Sequence, residues 1–277
     1  MKTLSFATRA AGAATLSLLI LASVVHPAHA QGNTKDFDTP TVFQAAGPNT
    51  ASIQASVDQF RAALGGANNG NCAGPLLAGR REINWDGGGS TATSPGPTPF
   101  TVFLNTRGAF ITTPGSGFVQ APLDGLVSTF GNLTYDSIFQ PFSPVRFFSP
   151  VGSNVTDVTF FVPGGGGSVS ATTRGFGVVF SDVDQPDGSG PGGSRGNRGA
   201  STLVEYYGPG GRLLYSSFVP ASPGDASLSF FAVVFSDARI AHVRITTGDV
   251  QPGVDDEAHR DIVMMDDFVY GEPQPLP

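Results

Sequence analysis

The sequence predicts an all-β protein, an antiparallel β-sandwich preceded by a short N-terminal helical extension. Three observations predict it. From Glu82 onward, short apolar runs rich in Phe, Val and Ile are cut by Gly, Pro, Asn and Asp, the grammar of strands and turns. These runs recur at close spacing with no helical pattern between them, which argues against βαβ units. The chain also carries 22 phenylalanines against five tyrosines and one tryptophan. Phenylalanine has no polar handle, so this bias favours core filling over ligand display.

The elements follow in order. Lys2 and Arg9, the apolar run from Ala11 to Val25 and the Ala28-His29-Ala30 pattern give residues 1–30 the form of a secretory signal peptide, with the mature chain starting at Gln31. The expected location is therefore secreted, extracellular or periplasmic. Residues 31–78 are expected to form an extension with one helix, from Ser52 to Leu64. There Ile53, Val57, Phe60 and Leu64 recur on one helical face, and Gly65-Gly66 stops it. The sandwich is expected over 79–272, with a tail over 273–277. Its strands are placed at Glu82–Trp85, Thr101–Leu104, Phe118–Ala121, Val145–Phe148, Asp157–Val162, Gly175–Ser181, Ser201–Tyr207, Arg212–Phe218, Leu228–Phe235, Ile240–Thr246 and Ile262–Tyr270. Gly208-Pro209-Gly210-Gly211 reads as a hairpin turn. Alternation points Ala241, Val243 and Ile245 inward, and His242, Arg244 and Thr246 outward. The near-copies Phe176–Asp182 (FGVVFSD) and Phe231–Asp237 (FAVVFSD) agree at six of seven positions. Their flanks do not agree, so they read as two buried strands in similar surroundings rather than a duplication.

Composition excludes several chemistries. Without residues 1–30 the chain holds 13 basic and 22 acidic residues, a formal charge of −9. That balance disfavours nucleic acid, whose phosphates require a basic face. The single cysteine, Cys72, permits no intramolecular disulfide and no thiolate cluster. Only His242 and His259 remain to serve a catalytic triad, and both sit in surface-type contexts. Gly192-Gly193-Ser194-Arg195-Gly196 fits G-x-S-x-G, and Gly188, Gly190 and Gly193 fit G-x-G-x-x-G. Neither tract has the strand-turn-helix setting that gives such motifs their mechanics. Paired carboxylates remain for a glycoside hydrolase, drawn from Glu82, Asp86, Glu205, Asp266 and Asp267.

Three acidic stretches suit a hard cation, among them Asp255-Asp256-Glu257, for which ordinary loop polarity is the alternative. Asp182-Val183-Asp184-Gln185-Pro186-Asp187-Gly188 offers three carboxylates and a turn-permitting glycine, so Asp182, Asp184 and Asp187 are candidate calcium ligands. Asp266-Asp267-Phe268-Val269-Tyr270-Gly271 closes the last strand. This D-D-F-x-Y-G ending resembles the close of jelly-roll domains in secreted bacterial proteins, among them carbohydrate-binding modules and proteins with exosortase sorting tails of the PEP-CTERM type. GRREINWDG (Gly79–Gly87) with the ending MDDFVYGEP is also similar to a group of uncharacterised secreted bacterial proteins. Unlike the sorting-tail proteins, this chain ends in Glu-Pro-Gln-Pro-Leu-Pro, so release rather than anchoring is expected. The resemblance implies a jelly roll whose first and last strands lie together, with Asp86 or Asp38 near Asp266 or Asp267 and calcium between them. Alternation would send only one of the paired aspartates inward.

GRREINWDG is thereby read as the opening strand, Ile83 and Trp85 on one face. Trp85, Tyr206 and Tyr207 are the candidate ligand-binding aromatics, with a core role the favoured reading for Trp85 and the same caution applying to Tyr206, Tyr207 and Tyr215. The expected function is a secreted, non-catalytic binding module for extracellular glycan or another surface polymer, stabilised by calcium. The alternatives are a structural or adhesive envelope protein and a carboxylate-dependent glycoside hydrolase.

Overall fold

A computed structural model describes residues 39–184, 201–256 and 260–276, all within one compact unit. The expected signal peptide and the residues Asp38, Asp187 and His259 lie outside the described residues. In chain order the elements are β1 (Thr41–Gly47), α1 (Thr50–Leu64), β2 (Arg80–Ile83), β3 (Ser94–Gly96), α2 (Leu104–Arg107), β4 (Ala109–Thr112), β5 (Gly117–Ala121), α3 (Leu123–Phe130) and α4 (Tyr135–Ile138). Then come β6 (Phe147–Val151), β7 (Val155–Phe160), β8 (Ala171–Thr172), β9 (Gly175–Ser181), β10 (Leu203–Tyr207), β11 (Leu213–Phe218), β12 (Leu228–Val234), β13 (His242–Thr246), β14 (Met264–Gly271) and β15 (Gln274–Pro275).

Two antiparallel sheets stack as the expected sandwich. The larger runs β1-β12-β9-β14-β6-β5-β3, with β2 also paired to β14, and the smaller runs β11-β10-β13-β7-β4. Between them lies a core of Phe176, Val178, Phe180, Phe231, Val233, Phe268 and Tyr270 from the larger sheet, facing Val158, Phe160, Val204, Tyr206, Val243 and Ile245 from the smaller. The other face of the larger sheet is also covered. Ile53, Val57, Phe60 and Leu64 of α1, the four residues picked out by helical spacing, pack on Val179, Phe230, Ala232, Val234 and Val269. Asn49 caps this helix, its side chain accepting from the Ser52 N–H at 3.2 Å. A third apolar cluster seats α3 and α4 on Val119, Phe147 and Met264.

This layering explains two textures in the sequence. β9, β12 and β14 are buried at every position because they have cover on both faces. β7, β10 and β13 alternate, since one face of the smaller sheet meets solvent. The FGVVFSD copy lies on β9, while FAVVFSD covers the end of β12 and the residues after it; the two strands are side by side, with Phe176 opposite Val233 and Val178 opposite Phe231. Their matching residues look the same way, the Phe and outer Val into the sandwich, the Gly, Ala and remaining Val towards α1. The β10–β11 hairpin and the alternation along β13 are as expected.

Three expectations are corrected. Residues 39–78 hold a strand as well as a helix, because β1 is the edge strand of the larger sheet, paired to β12 over its whole length. Thr101–Leu104 is not a strand but the lead into α2, which Gly108 closes at a φ of 76°; a short apolar run carries no period by which to choose. The Ser52–Leu64 helix is not the only one among the described residues, since α3 follows Pro122 and ends at Gly131.

Candidate functional site

The GRREINWDG segment sorts its side chains by strand alternation. Arg81, Ile83 and Trp85 point inward and are buried, whereas Arg80, Glu82 and Asn84 lie on the outer side. β2 pairs antiparallel with the closing strand β14, Ile83 opposite Phe268 and Arg81 opposite Tyr270. GRREINWDG therefore lies beside the D-D-F-x-Y-G strand, but it is not the opening strand, since β1 precedes it and pairs with β12. Arg81 forms a bidentate pair with Glu272 at 2.6 and 2.7 Å and donates to the Gly70 and Cys72 carbonyls at 2.7 and 2.8 Å. It therefore fastens the loop after α1 to the end of β14.

Trp85 is no ligand platform. It is 1 % exposed, its ring lies flat on Phe148 at 3.8 Å, and Nε1 donates to the Asp266 carbonyl at 2.8 Å. Tyr206 is likewise withdrawn, with its hydroxyl on the Phe176 carbonyl at 3.2 Å. Tyr206 falls on a core-facing position of β10, and Trp85 lies two residues past the end of β2 with its ring in the core, which the aromatic type alone does not reveal. Tyr207 alone of the three faces outward, on the open face of the smaller sheet. There its ring stacks on His242 at 5.2 Å and its hydroxyl donates to Glu205 at 2.9 Å. Asp157 takes both Arg244 and His242 beside it, so the polar groups of this face largely satisfy one another.

A concave surface lies instead along the outer edge of β2. Two adjoining clefts of about 370 Å³ each share Glu82, Asn84 and Arg107. One is walled by Asn71, Phe103 and Thr106, the other by Arg61, Asn68, Ser143 and Asp267. Arg61, from the last turn of α1, reaches Glu82 at 2.9 Å and Asp267 at 3.7 Å. Burial opposes its charge, but Glu82 and Asp267 outweigh that and hold the guanidinium above its ordinary range. Arg80 clamps Glu82 from the other side at 2.6 Å. Arg107, from α2, donates to the Glu82 carbonyl at 3.0 Å. The exposed Asn84 amide has no hydrogen-bond partner among the described residues. Arg61, Asn84 and Arg107 were not singled out from the sequence; only the oddity of GRREINWDG pointed here.

Behind the clefts sits the expected meeting of Asp86, Asp266 and Asp267. Ser143 Oγ lies 3.3, 3.3 and 2.7 Å from their carboxylates. Both members of the Asp266-Asp267 pair are buried, against the alternation rule, because a register shift between Met265 and Phe268 turns the strand between them. Burial and then the neighbouring Asp267 push Asp266 well above the carboxylate range. Burial also raises Asp267. The carboxylates of Asp266, Asp267 and Asp86 also take hydrogen bonds from neighbouring groups. Asp266 takes the Phe142 N–H at 2.7 Å, Asp267 takes Ser143, and Asp86 takes the Val145 and Arg146 N–H groups at 2.6 and 2.9 Å.

The other acidic stretch behaves differently. Asp182, Asp184 and Asp256 bring carboxylate oxygens within 4.8 Å of one another, with Asp261 adjoining through the Asp184 N–H at 3.4 Å. Of the expected set, Asp182 and Asp184 meet and Asp187 lies outside the described residues. Asp256 and Asp261 join from a loop seventy residues further on, too distant in sequence to show a motif. Burial, reinforced by neighbouring carboxylates, lifts Asp182 to about 9, Asp261 to about 7 and Asp256 to about 6. The folded chain thus binds these protons more tightly than the unfolded one. In the absence of a cation, the melting temperature in chelator should fall as pH rises from about 4 towards 9, which a thermal series in EDTA reads.

Comparison with family models, with curated proteins and with solved structures returns no match.

Proposed function

We propose that the chain is a secreted, non-catalytic binding module that holds an extracellular glycan in the double cleft beside β2. The observation that supports this reading is the wall chemistry of that cleft. Arg61, Glu82, Asn84 and Arg107 converge from two helices and a strand on one concave surface, with Phe103 at its side. Sugar hydroxyls need several fixed donors and acceptors at once, and planar amide, guanidinium and carboxylate groups present them in pairs. The Phe103 ring offers an apolar patch of the kind that covers a pyranose face. The volume suits a small number of sugar rings. Mutual pairing among Arg61, Arg80 and Glu82 holds the polar groups in place before a ligand arrives, which lowers the ordering cost of binding.

Glycan-array screening of the chain from Gln31 tests the reading. The expected result is retention of one glycan class, weakened about tenfold, or about 1.4 kcal/mol, by Asn84→Ala at unchanged melting temperature. Absence of any retained glycan would remove it. Turnover of glycoside substrates, abolished by Glu82→Gln, would instead make the cleft an active site in which Glu82 and Asp267 act as the carboxylate pair.

A further inference from the structure

Three neighbouring strands meet at one end of the larger sheet. β9 ends there at Ser181, opposite Leu228, the first residue of β12, and Met264, the first of β14. Asp182 and Asp184 follow β9, while Asp256 and Asp261 precede β14. Asp182 is the key residue. It is fully buried, yet neither of its carboxylate oxygens has a hydrogen-bond partner among the described residues. Its φ of 69° lies in the left-handed region, where a residue other than glycine is uncommon. Its N–H is held by the Ser227 carbonyl at 3.0 Å. The chain is thus tied into a costly conformation that delivers a bare carboxylate to Asp184 and Asp256. One oxygen of Asp261 and the hydroxyl of Ser227 are also buried without partners. An isolated buried carboxylate costs several kcal/mol unless it is neutralised or coordinated. The Asp266 cluster, with its carboxylates served by N–H groups and Ser143, shows how this fold satisfies buried aspartates with hydrogen bonds.

We infer that Asp182, Asp184 and Asp256 ligate a single calcium ion, with Asp261 closing the site from behind. The donor set is oxygen only, which selects hard cations over zinc or copper. Ligands on separate loops form an irregular cage, which calcium tolerates and magnesium, with its strict octahedron, does not. Part of the set already has its orientation fixed: Asp184 accepts from the Gly224 N–H at 2.8 Å, and Asp261 from the Ser201 hydroxyl and the Asp184 N–H. A cation here would bind together the loops that enter and leave the three central strands. The inference stands on these carboxylates alone and is independent of the cleft beside β2.

The test is calorimetric titration of the EDTA-treated, buffer-exchanged chain with calcium chloride, alongside thermal melting. The expected result is one ion per chain and a melting temperature raised by about 5–10 °C at calcium near 100 times Kd. Magnesium should give a smaller shift. Asp182→Asn should abolish both responses while melting in EDTA at or above the unsubstituted chain, since an amide is not a buried charge. Should that variant fail to fold, the half-buried Asp256→Asn carries the test, with affinity expected to fall roughly tenfold or more. Absence of both heat and shift, or unchanged affinity in either variant, would overturn the inference. Tighter binding of zinc than of calcium would overturn the choice of ion.

Discussion

Glu272→Ala should cost about 3–5 kcal/mol of stability, because it leaves the Arg81 guanidinium buried without its counter-charge. For a chain of this size that is a fall in melting temperature of about 6–20 °C. The side chains of Arg81 and Glu272 are 0 and 2 % exposed, so water cannot replace the lost partner cheaply. Glu272 is also the hub of the loop after α1: its two oxygens accept from Asn69 at 2.7 Å and from the Leu76 N–H at 3.2 Å as well as from Arg81. Removing it loosens the segment that bridges α1 and β2. Replacing both partners, Arg81→Met with Glu272→Leu, should recover only part of the loss. The three carbonyls of Gly70, Cys72 and Thr106 that Arg81 serves would then lose their donor. Urea denaturation checks this through the shift in midpoint at constant slope. A loss below about 1 kcal/mol for the single change, the range of an exposed pair, would mean that solvent reaches the guanidinium.

Trp85→Ala should be of similar size, about 3–5 kcal/mol, by the usual cost of emptying a large aromatic site. The indole lies flat on Phe148 at 3.8 Å, meets Phe268 edge-on at 4.9 Å and Phe103 at 5.7 Å, and fills the corner where β2, β6 and β14 come together. Alanine would leave both a cavity and the Asp266 carbonyl without its donor. Trp85→Phe keeps the stacking and should lose about 1 kcal/mol for the hydrogen bond. Because this is the chain's only tryptophan, its fluorescence reports directly on the site. Emission should be blue-shifted and resistant to acrylamide, and it should stay so when a glycan is added. Ready quenching in the native protein would show the ring at the surface and restore it as a ligand platform. Any loss of glycan binding in Trp85→Ala must be read against its melting temperature, since the change acts on the fold.

Much of the layer structure was legible in the residues. The spacing of Ile53, Val57, Phe60 and Leu64 named the buried face of α1, and the alternation along β13 named its inward residues. The twin FVVF-type runs named two central strands. These readings succeed because period and apolar length depend on local geometry, which every residue of the element shares. The readings that the sequence left open turned on partners distant in sequence. The core place of Trp85 and of Tyr206 becomes definite only when Phe148 and Phe176 are set against them. The Ser143, Phe142 and Arg61 neighbours of Asp266 and Asp267 likewise appear only in the fold. β1 was missed because its mixed polar sequence, Thr41–Gly47, becomes a strand only by pairing with the edge of β12.

The amino-acid sequence by itself determined the two-layer β architecture, the amphipathic helix α1, the acidic charge and the lack of thiol or histidine clusters. Those properties follow from composition and from repeats a few residues long. Tertiary structure decided which polar groups meet: the cleft shared by Arg61, Glu82, Asn84 and Arg107, and the gathering of Asp182 and Asp184 with Asp256 and Asp261. Strand order sets these meetings, and strand order follows from summed packing over the whole sheet, which no short window of residues contains.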